Sequence, residues 1–243
     1  LDLQGSWKTV IFLWAARARR RYVKGRWWFA QRFHRPQLHA IAEMDGVLRL
    51  CGIEPRQHNP VLHALAMDNQ AIDERLERLG VRGRRIAVFC PLTRWPTKNW
   101  PLSEFVDLVK KLPEDFFVIF TGTASEQALI SEAMTRLAPT RAASFAGCLS
   151  LPEYFALVSI AQLVVTGDSL PMHVASAYNR PLVALFGPTD ESRVAPRSEA
   201  SVVVRADTDC HRCYRRSYCP RSCIDRITVA QVGQAIDEVL GAH

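Results

Sequence analysis

The sequence predicts an α/β fold in which helices cover both faces of a doubly wound parallel sheet. From Arg84 onward, short apolar runs alternate with amphipathic helical stretches. The apolar runs are nearly continuous, which is typical of parallel strands that are buried on both faces. Right-handed crossovers between such strands produce the doubly wound arrangement. Hydrophobic residues make up 48% of the 243-residue chain, which is enough for a sizeable core.

Six strands and five helices are predicted in this part of the chain. Runs of β-branched and aromatic residues predict strands at 86–89, 116–120, 143–145, 163–165, 182–186 and 201–204. Apolar residues at helical spacing predict helices at 103–112, 125–137, 151–160, 172–178 and 229–240. Capping-box spacing marks three helix starts, in the pairs Thr123 and Glu126, Ser150 and Glu153, and Thr228 and Gln231.

The preceding part of the chain is strongly basic and is predicted to form a separate domain. Helical spacing predicts helices at 7–21, 39–51 and 71–79, and the polar stretch 55–59 predicts a linker. We therefore expect one domain at 1–58 and another at 59–243. Up to Pro36 the chain has nine Lys and Arg residues and one acid, Asp2. Such a surface attracts nucleic acid, anionic lipid or a phosphorylated glycan, unless it is only a solvated helix face.

Composition excludes some classes of protein. No apolar run reaches the roughly 18 residues of a membrane-spanning helix, and the start has no secretory pattern. We therefore expect a reducing compartment. The phosphate-binding patterns G-x-x-x-x-G-K-S/T and G-x-G-x-x-G do not occur, which argues against a P-loop enzyme and a standard dinucleotide oxidoreductase.

Residues that suit a phosphorylated ligand follow several of the predicted strands. They are Thr93, Arg94 and Lys98 in the first loop, Glu126 after the second strand, and Asp168, Ser169 and His173, with Leu170 among them, in the fourth loop. Ligands of doubly wound sheets bind outside the carboxyl ends of the strands, where helix N-termini attract anions. Hydroxyl groups and cations at that edge indicate a diphosphate.

Several of these residues also have a structural interpretation. The first loop would be an ordinary surface loop in which Pro101 starts a helix. Glu126 would be only the capping partner of Thr123, and Asp168 would cap the helix that follows it. A lone His173 is more often structural than catalytic. The residues alone therefore indicate an anionic, nucleotide-like ligand and go no further.

Short motifs follow one another in a distinctive order along nearly the whole chain. They are Asp-Leu-Gln-Gly at 2–5, Thr-Arg at 93–94 with Lys-Asn-Trp-Pro at 98–101, Phe-Ala-Gly at 145–147 with Leu-Ser-Leu at 149–151, Gly-Asp-Ser at 167–169 with Pro-Met-His-Val-Ala at 171–175, the run 181–190, and Cys-Ile at 223–224 before Ile-Thr-Val at 227–229. In this order and spacing the chain resembles the heptosyltransferase family, glycosyltransferase family 9. The resemblance implies a GT-B fold, with a complete C-terminal Rossmann-like domain and a truncated N-terminal one.

The resemblance also implies an activity, partners and roles for single residues. It implies inverting, metal-independent transfer of heptose from the nucleotide sugar ADP-heptose to the anionic inner core of lipopolysaccharide, without a cofactor or a nucleic-acid partner. It places the protein in the cytoplasm, with peripheral contact at the inner face of the cytoplasmic membrane. Carried over by position, the donor-binding set is Thr93, Arg94 and Lys98 at the diphosphate, Glu126 at the ribose, Leu149 by the adenine, and Asp168, Ser169, Leu170 and His173 at the pyrophosphate and sugar. The acceptor side would hold Lys8, Arg19 and Arg21.

Two departures from the family pattern bear on this activity. The family has glycine where this chain has Leu170, and glycine lets backbone N–H groups approach a phosphate closely. We therefore expect weaker donor binding at that loop. The family's general base, an aspartate, would lie upstream of Leu1, and Asp2 is not that residue. Because an inverting transfer needs a base at the attacking hydroxyl, we expect this chain to bind donor but to transfer poorly.

Four cysteines near the carboxyl end form a separate pattern. Their spacing is Cys210-x2-Cys213-x5-Cys219-x3-Cys223, which fits a structural zinc site, a disulfide pair or free thiols. The family carries cysteines here without an assigned metal, so zinc is not favoured. Neighbouring arginines would also fit a nucleic-acid knuckle. Three functions therefore compete: an active heptosyltransferase, a non-catalytic ADP-sugar-binding remnant and a basic zinc protein that binds nucleic acid.

Overall fold

The computed structural model describes residues 1–35, 37–55, 60–63, 66–206, 208, 210 and 212–241. These fall into two compact units, one of Leu1–Pro60 with Ser192–Val194, the other of Val61–Glu191 with Ala195–His243. Most of the predicted linker, 56–59, lies outside the described residues. In the described ranges, no helix is long and apolar enough to cross a membrane. Assignment of the two parts to acceptor and donor remains a prediction.

The smaller unit has a small core between a helix and a strand. Its described elements are α1 (Trp7–Ala15), β1 (Tyr22–Lys24), β2 (Gln31–Phe33) and α2 (Ala40–Leu50), and β1 and β2 are parallel. Val10 and Leu13 of α1 pack with Val23 of β1. The prediction of a helix reaching 21 is wrong. Residues 16–21 carry no large apolar side chain to pack, and the backbone is already extended at Ala16.

The larger unit is built on a parallel sheet. The remaining elements of the chain are α3 (Ala66–Arg78), β3 (Arg85–Cys90), α4 (Leu102–Lys111), β4 (Phe116–Phe120), α5 (Gln127–Met134), β5 (Ala142–Ser144), α6 (Leu151–Ile160), β6 (Leu163–Gly167), α7 (Leu170–Ala177), β7 (Leu182–Phe186), α8 (Glu191–Val194), β8 (Ser201–Arg205) and α9 (Val229–Gly241). The six predicted strands are confirmed. Helix α3 begins earlier than predicted, α5 ends earlier, and the one-turn helix α8 has no signal in the sequence pattern.

The order of the strands locates the crevice of the sheet. Within the described residues the order is β5-β4-β3-β6-β7-β8, and every neighbouring pair is parallel. The chain moves outward in one direction from β3 and in the other direction from β6. Ligands of such sheets bind outside the carboxyl ends of the two strands where the direction changes. A ligand site is therefore expected at the loops after β3 and β6.

Large apolar side chains hold the central strands beneath their covering helices. Phe89 of β3 lies against Phe105 of α4 and Phe120 of β4, with ring centroids 5.7 and 5.6 Å apart. Trp100 is buried just before α4, and its Nε1 donates to the main-chain oxygen of Ile227 at 2.8 Å. The predicted capping boxes of Thr123 and Ser150 are both confirmed. The ends of the strands are therefore supported by a well-packed core.

Candidate functional site

An ion pair connects the loops that follow β3 and β6. Lys98 Nζ donates to Asp168 Oδ2 at 2.6 Å and to the main-chain oxygen of Asp168 at 3.2 Å. Only 13% of the Lys98 side chain and 8% of the Asp168 side chain are exposed. The pairing of Cys90 with Thr166 at the ends of the two strands brings these loops together across 70 residues of sequence. The structure thus places two predicted donor-binding residues in direct contact.

The loop after β3 is shaped by its own polar groups. Thr93 N donates to Asn99 Oδ1 at 2.8 Å, and the Thr93 hydroxyl donates to the main-chain oxygen of Trp95 at 3.0 Å. The same hydroxyl accepts from Trp95 N at 3.2 Å. A 3₁₀ turn at Pro96–Lys98 follows, and Arg94 is exposed. Thr93 therefore holds the loop in shape, and Asn99, to which no role was assigned from the sequence, shares that task.

Gly167 permits the two loops to touch. A Cβ atom at this position would lie 2.9 Å from the main-chain oxygen of Lys98 and 3.4 Å from Thr93 Cγ2. Contacts to a backbone atom at that distance are too short for a real side chain. The glycine at the end of β6 is therefore needed for Thr93, Lys98 and Asp168 to converge.

The start of α7 completes this edge. Ser169 is the N-cap residue, its side chain makes no capping hydrogen bond, and Leu170 begins the helix. The alternative in which Asp168 caps this helix is therefore wrong, because its carboxylate is paired with Lys98. Leu170 and His173 are exposed in the first turn. Pro171 has no N–H group and Met172 N donates to the main-chain oxygen of Ser169 at 3.2 Å, so it is chiefly the positive end of the helix dipole that favours an anion at this position.

Glu126 and Leu149 belong to a second group of loops, after β4 and β5. Glu126 Oε2 accepts from Thr123 N at 2.7 Å, so its capping role is confirmed. Leu149 is half-buried just before the N-cap of α6. Gly147 N donates to the main-chain oxygen of Gly122 at 2.9 Å, which joins the two loops to each other. These residues lie at the same edge of the sheet as Lys98, beyond the neighbouring strand.

A neutral polar cluster lies at the ends of β3 and β4. Cys90 Sγ lies 3.0 Å from Thr121 Oγ1 and 3.5 Å from the Tyr154 hydroxyl. Burial raises the pKa of the Cys90 thiol to about 11, and burial also raises the pKa of Tyr154. Both groups therefore stay protonated at neutral pH and place no negative charge beneath the proposed diphosphate.

The three predicted acceptor-side residues lie in the smaller unit. Lys8 is exposed on α1, with its Nζ 5.7 Å from the Trp7 ring centroid, and Arg19 is exposed after the helix. Arg21 is half-buried, and its Nη2 donates to the main-chain oxygen of Ala16 at 2.9 Å. Arg21 therefore also secures the chain after α1. A role at an acceptor remains a prediction for all three.

The cysteine-rich segment, residues 210–223, contacts the loop after β3. The Thr97 hydroxyl donates to the main-chain oxygen of Arg215 at 2.5 Å and approaches that of Arg216 at 3.3 Å. Arg216 Cζ lies 4.7 Å from the Trp95 ring centroid. No pattern in the sequence indicates this contact, apart from a tryptophan in a loop rich in cations. The segment thus forms an outer wall of the candidate site.

The cysteines of this segment are free thiols. Burial, followed by the charge of Cys210, raises the pKa of Cys223. The two line a cavity of about 310 Å³ together with Thr208, Arg221 and Arg226. Among the described residues, which do not include His211, no group of three or more His, Cys, Asp or Glu side chains is placed to hold a metal ion.

Comparison with known proteins identifies the family. The family model of glycosyltransferase family 9 (heptosyltransferase) matches residues 1–222. The chain belongs to glycosyltransferase family 9. A stretch of 129 residues is 35% identical to lipopolysaccharide heptosyltransferase 2 of Escherichia coli, and it covers 51% of this chain and 37% of that relative. The predicted membership of this family is therefore confirmed.

Solved family 9 structures share the fold of the chain. The glycosyl transferase family 9 protein of Veillonella parvula aligns over 100% of this chain and 73% of its own, with a TM-score of 0.82 and 18% identity. The E. coli ADP-heptose LPS heptosyltransferase II aligns over 98% of this chain and 75% of its own, with a TM-score of 0.74 and 23% identity. The predicted GT-B type of α/β fold is confirmed by these matches.

Proposed function

We propose that this family 9 chain binds ADP-heptose and takes part in the transfer of its heptose to the anionic inner core of lipopolysaccharide. The observation that carries the proposal is the Lys98–Asp168 pair beside the uncapped start of α7, at the point where the strand order changes direction. A diphosphate placed there would meet a cation and the positive end of a helix dipole together. The name of the E. coli relative supports the choice of ADP-heptose.

Each remaining donor-binding residue has a proposed task. Lys98 would contact the diphosphate as a point charge, while Asp168 holds the ammonium group in place and accepts from a sugar hydroxyl. Glu126 would accept from the ribose, since only its Oε2 is used by the capping box. Leu149 would offer an apolar surface to the adenine. Thr93, Arg94, Ser169, Leu170 and His173 complete the lining.

The proposed reaction inverts the anomeric carbon and needs no metal ion. The acceptor oxygen bonds to the anomeric carbon while the bond from that carbon to the diphosphate oxygen breaks, and ADP leaves with the electron pair. The proton of the acceptor hydroxyl passes to a base. Lys98 and the start of α7 would offset the charge that develops on the departing diphosphate. Positive charge at the leaving group is the part of the catalysis that this unit can supply.

A thermal-shift panel tests donor binding. ADP and ADP-heptose should raise the melting temperature, UDP- and GDP-sugars should not, and the Lys98→Gln variant should lose the response. Transfer is assayed separately, as ADP release with a heptose-deficient lipopolysaccharide acceptor, with and without EDTA. Binding without release would identify a donor-binding module, whereas no response to any adenine nucleotide would refute the proposal.

We also propose that α1 makes peripheral contact with an anionic bilayer, at the cytoplasmic face of the inner membrane that the family resemblance implies. Trp7, Ile11, Phe12 and Trp14 are all more than half exposed on this helix. Lys8 on α1 and the exposed arginines that follow it provide the matching positive charge. Aromatic side chains beside cations are typical of helices that lie in the interface of a membrane.

A further inference from the structure

The proposed donor site carries no net positive charge, because the cations Lys98 and Arg94 are matched by the carboxylates Asp168 and Glu126. Lys98 and Asp168 lie 2.6 Å apart and largely cancel each other. The diphosphate of a nucleotide sugar is doubly negative, and Glu126 adds a further carboxylate at the same edge of the sheet. Buried or partly buried negative charge needs compensation by cations or hydrogen-bond donors. The N-terminus of α7 supplies only a partial charge. A further cation near Lys98 would offset the charge of the diphosphate.

Arg216 is placed to supply that charge. Its Cζ lies 4.7 Å from the centroid of the Trp95 ring, and Lys98 Nζ lies 4.3 Å from the centroid of the same ring. The two cations therefore cannot be further apart than the sum of these distances. A tryptophan ring attracts cations at this range and would keep the long arginine side chain beside the site.

The backbone around Arg216 is fastened to the same loop. The Thr97 hydroxyl donates to the main-chain oxygen of Arg215 at 2.5 Å, and the main-chain oxygen of Arg216 lies 3.3 Å from it. Thr97 is closely packed against Gly187, because a Cβ atom added at Gly187 would lie 3.0 Å from the main-chain oxygen of Thr97. The Arg216 side chain is exposed, which leaves its planar group of N–H donors accessible to an anion.

We propose that Arg216 is a donor-binding residue, whose guanidinium group, held against Trp95, binds the diphosphate opposite Lys98. This inference rests on the proposed function and adds to it a residue from the cysteine-rich segment. It gives the segment a task at the site that requires neither a metal ion nor a disulfide. The contact of the segment with Thr97 would then determine whether Arg216 lies beside the diphosphate.

Calorimetric titration of the whole chain with ADP and with AMP tests the inference. Arg216→Gln should weaken ADP binding about tenfold, which is typical of one charged hydrogen bond, and should weaken AMP binding less because AMP lacks the second phosphate. Arg216→Lys should restore part of the affinity. The matched control Arg215→Gln removes the same charge from the adjacent position and should bind ADP as the unchanged protein does. Trp95→Leu should resemble Arg216→Gln, with the melting temperature measured for each variant.

The outcomes separate the inference from the function on which it rests. If the unchanged chain does not bind ADP, the proposed function fails. If it binds ADP and a folded Arg216→Gln variant binds equally well, the inference alone is overturned. Equal losses in Arg215→Gln and Arg216→Gln would also overturn it, because the effect would then reflect overall charge and not a contact.

Discussion

Lys98 and Asp168 form a largely buried ion pair, at 2.6 Å, between the loops of the two central strands. Their contact depends on the register of β3 with β6 and on the absence of a side chain at Gly167. Removal of one partner from such a pair leaves an uncompensated charge, which costs more than the pair itself contributes. The pair therefore links the stability of the sheet to the shape of the proposed donor site.

Separate replacement of the two partners should be strongly non-additive. Lys98→Gln and Asp168→Asn should each reduce the free energy of unfolding by about 3 kcal/mol, because each leaves one buried charge alone. The double variant should lose less than the two single losses together. Urea denaturation of the four proteins measures this, and additive losses would show that the pair is not coupled.

Gly167→Ala should impair donor binding more than it impairs folding. The new Cβ would press on the main-chain oxygen of Lys98, so the loop must shift, at a cost of about 1–3 kcal/mol. ADP affinity, measured by calorimetry, should fall as Lys98 moves. Gly233→Ala in α9 is the matched control, since a Cβ there meets no atom within 4 Å, and this variant should be slightly more stable. Unchanged ADP affinity in Gly167→Ala would contradict the geometry described for the site.

Glu153 should give the chain a stability that disappears in acid. Its hydrogen bonds with the backbone and side chain of Ser150, and then that with Arg75, lower the pKa of this carboxyl. A carboxyl whose pKa is lowered by folding stabilises the folded state at pH values above its ordinary pKa. This contribution is lost as the pH falls through the lowered pKa. Glu153→Gln keeps the capping acceptor and should cost about 0.5–1 kcal/mol at pH 7, because the salt bridge is partly exposed. When thermal unfolding is followed from pH 7 to pH 3, the difference in melting temperature between the unchanged protein and Glu153→Gln should shrink. A difference that stays constant over this pH range would contradict the proposed role of Glu153.

The aromatic face of α1 should control attachment to vesicles. Phe12→Ser combined with Trp14→Ser removes two exposed apolar side chains and should lower partitioning onto phosphatidylglycerol vesicles several-fold. Leu129→Ser is the control, since Leu129 is 51% exposed on α5. Sedimentation with anionic and with zwitterionic vesicles measures the apolar and the electrostatic contributions to binding. Equal binding by all three proteins would rule out α1 as the contact.

The sequence carried most of the information about the sheet and less about the smaller unit. The six strands of the larger unit are continuous apolar runs, so they were predictable without knowledge of their partners. Strands β1 and β2 have only three residues each, and their existence depends on pairing with each other, which no local pattern shows. The helix predicted through residue 21 ends at Ala15 instead, because residues 16–21 carry no large apolar side chain to pack.

At the candidate site, sequence reasoning found the loops but not the contacts. Thr93, Lys98 and Asp168 were expected at one edge because parallel strands end there together. That Asp168 pairs with Lys98, instead of capping α7, follows from strand register and from packing at Gly167. The approach of Arg216 to Trp95 joins parts of the chain that are far apart in sequence, and only the folded structure reveals it.

The strand order has a consequence for how the larger unit is put together. One half of its sheet, β3 to β5, and the other, β6 to β8, are each continuous in sequence, and they meet along a single seam between β3 and β6. A break in the chain between the halves would leave that seam, together with contacts such as the hydrogen bond from Trp100 to Ile227, to join them again. Two fragments expressed separately would then associate through these contacts, and a nucleotide bridging the seam would strengthen their association.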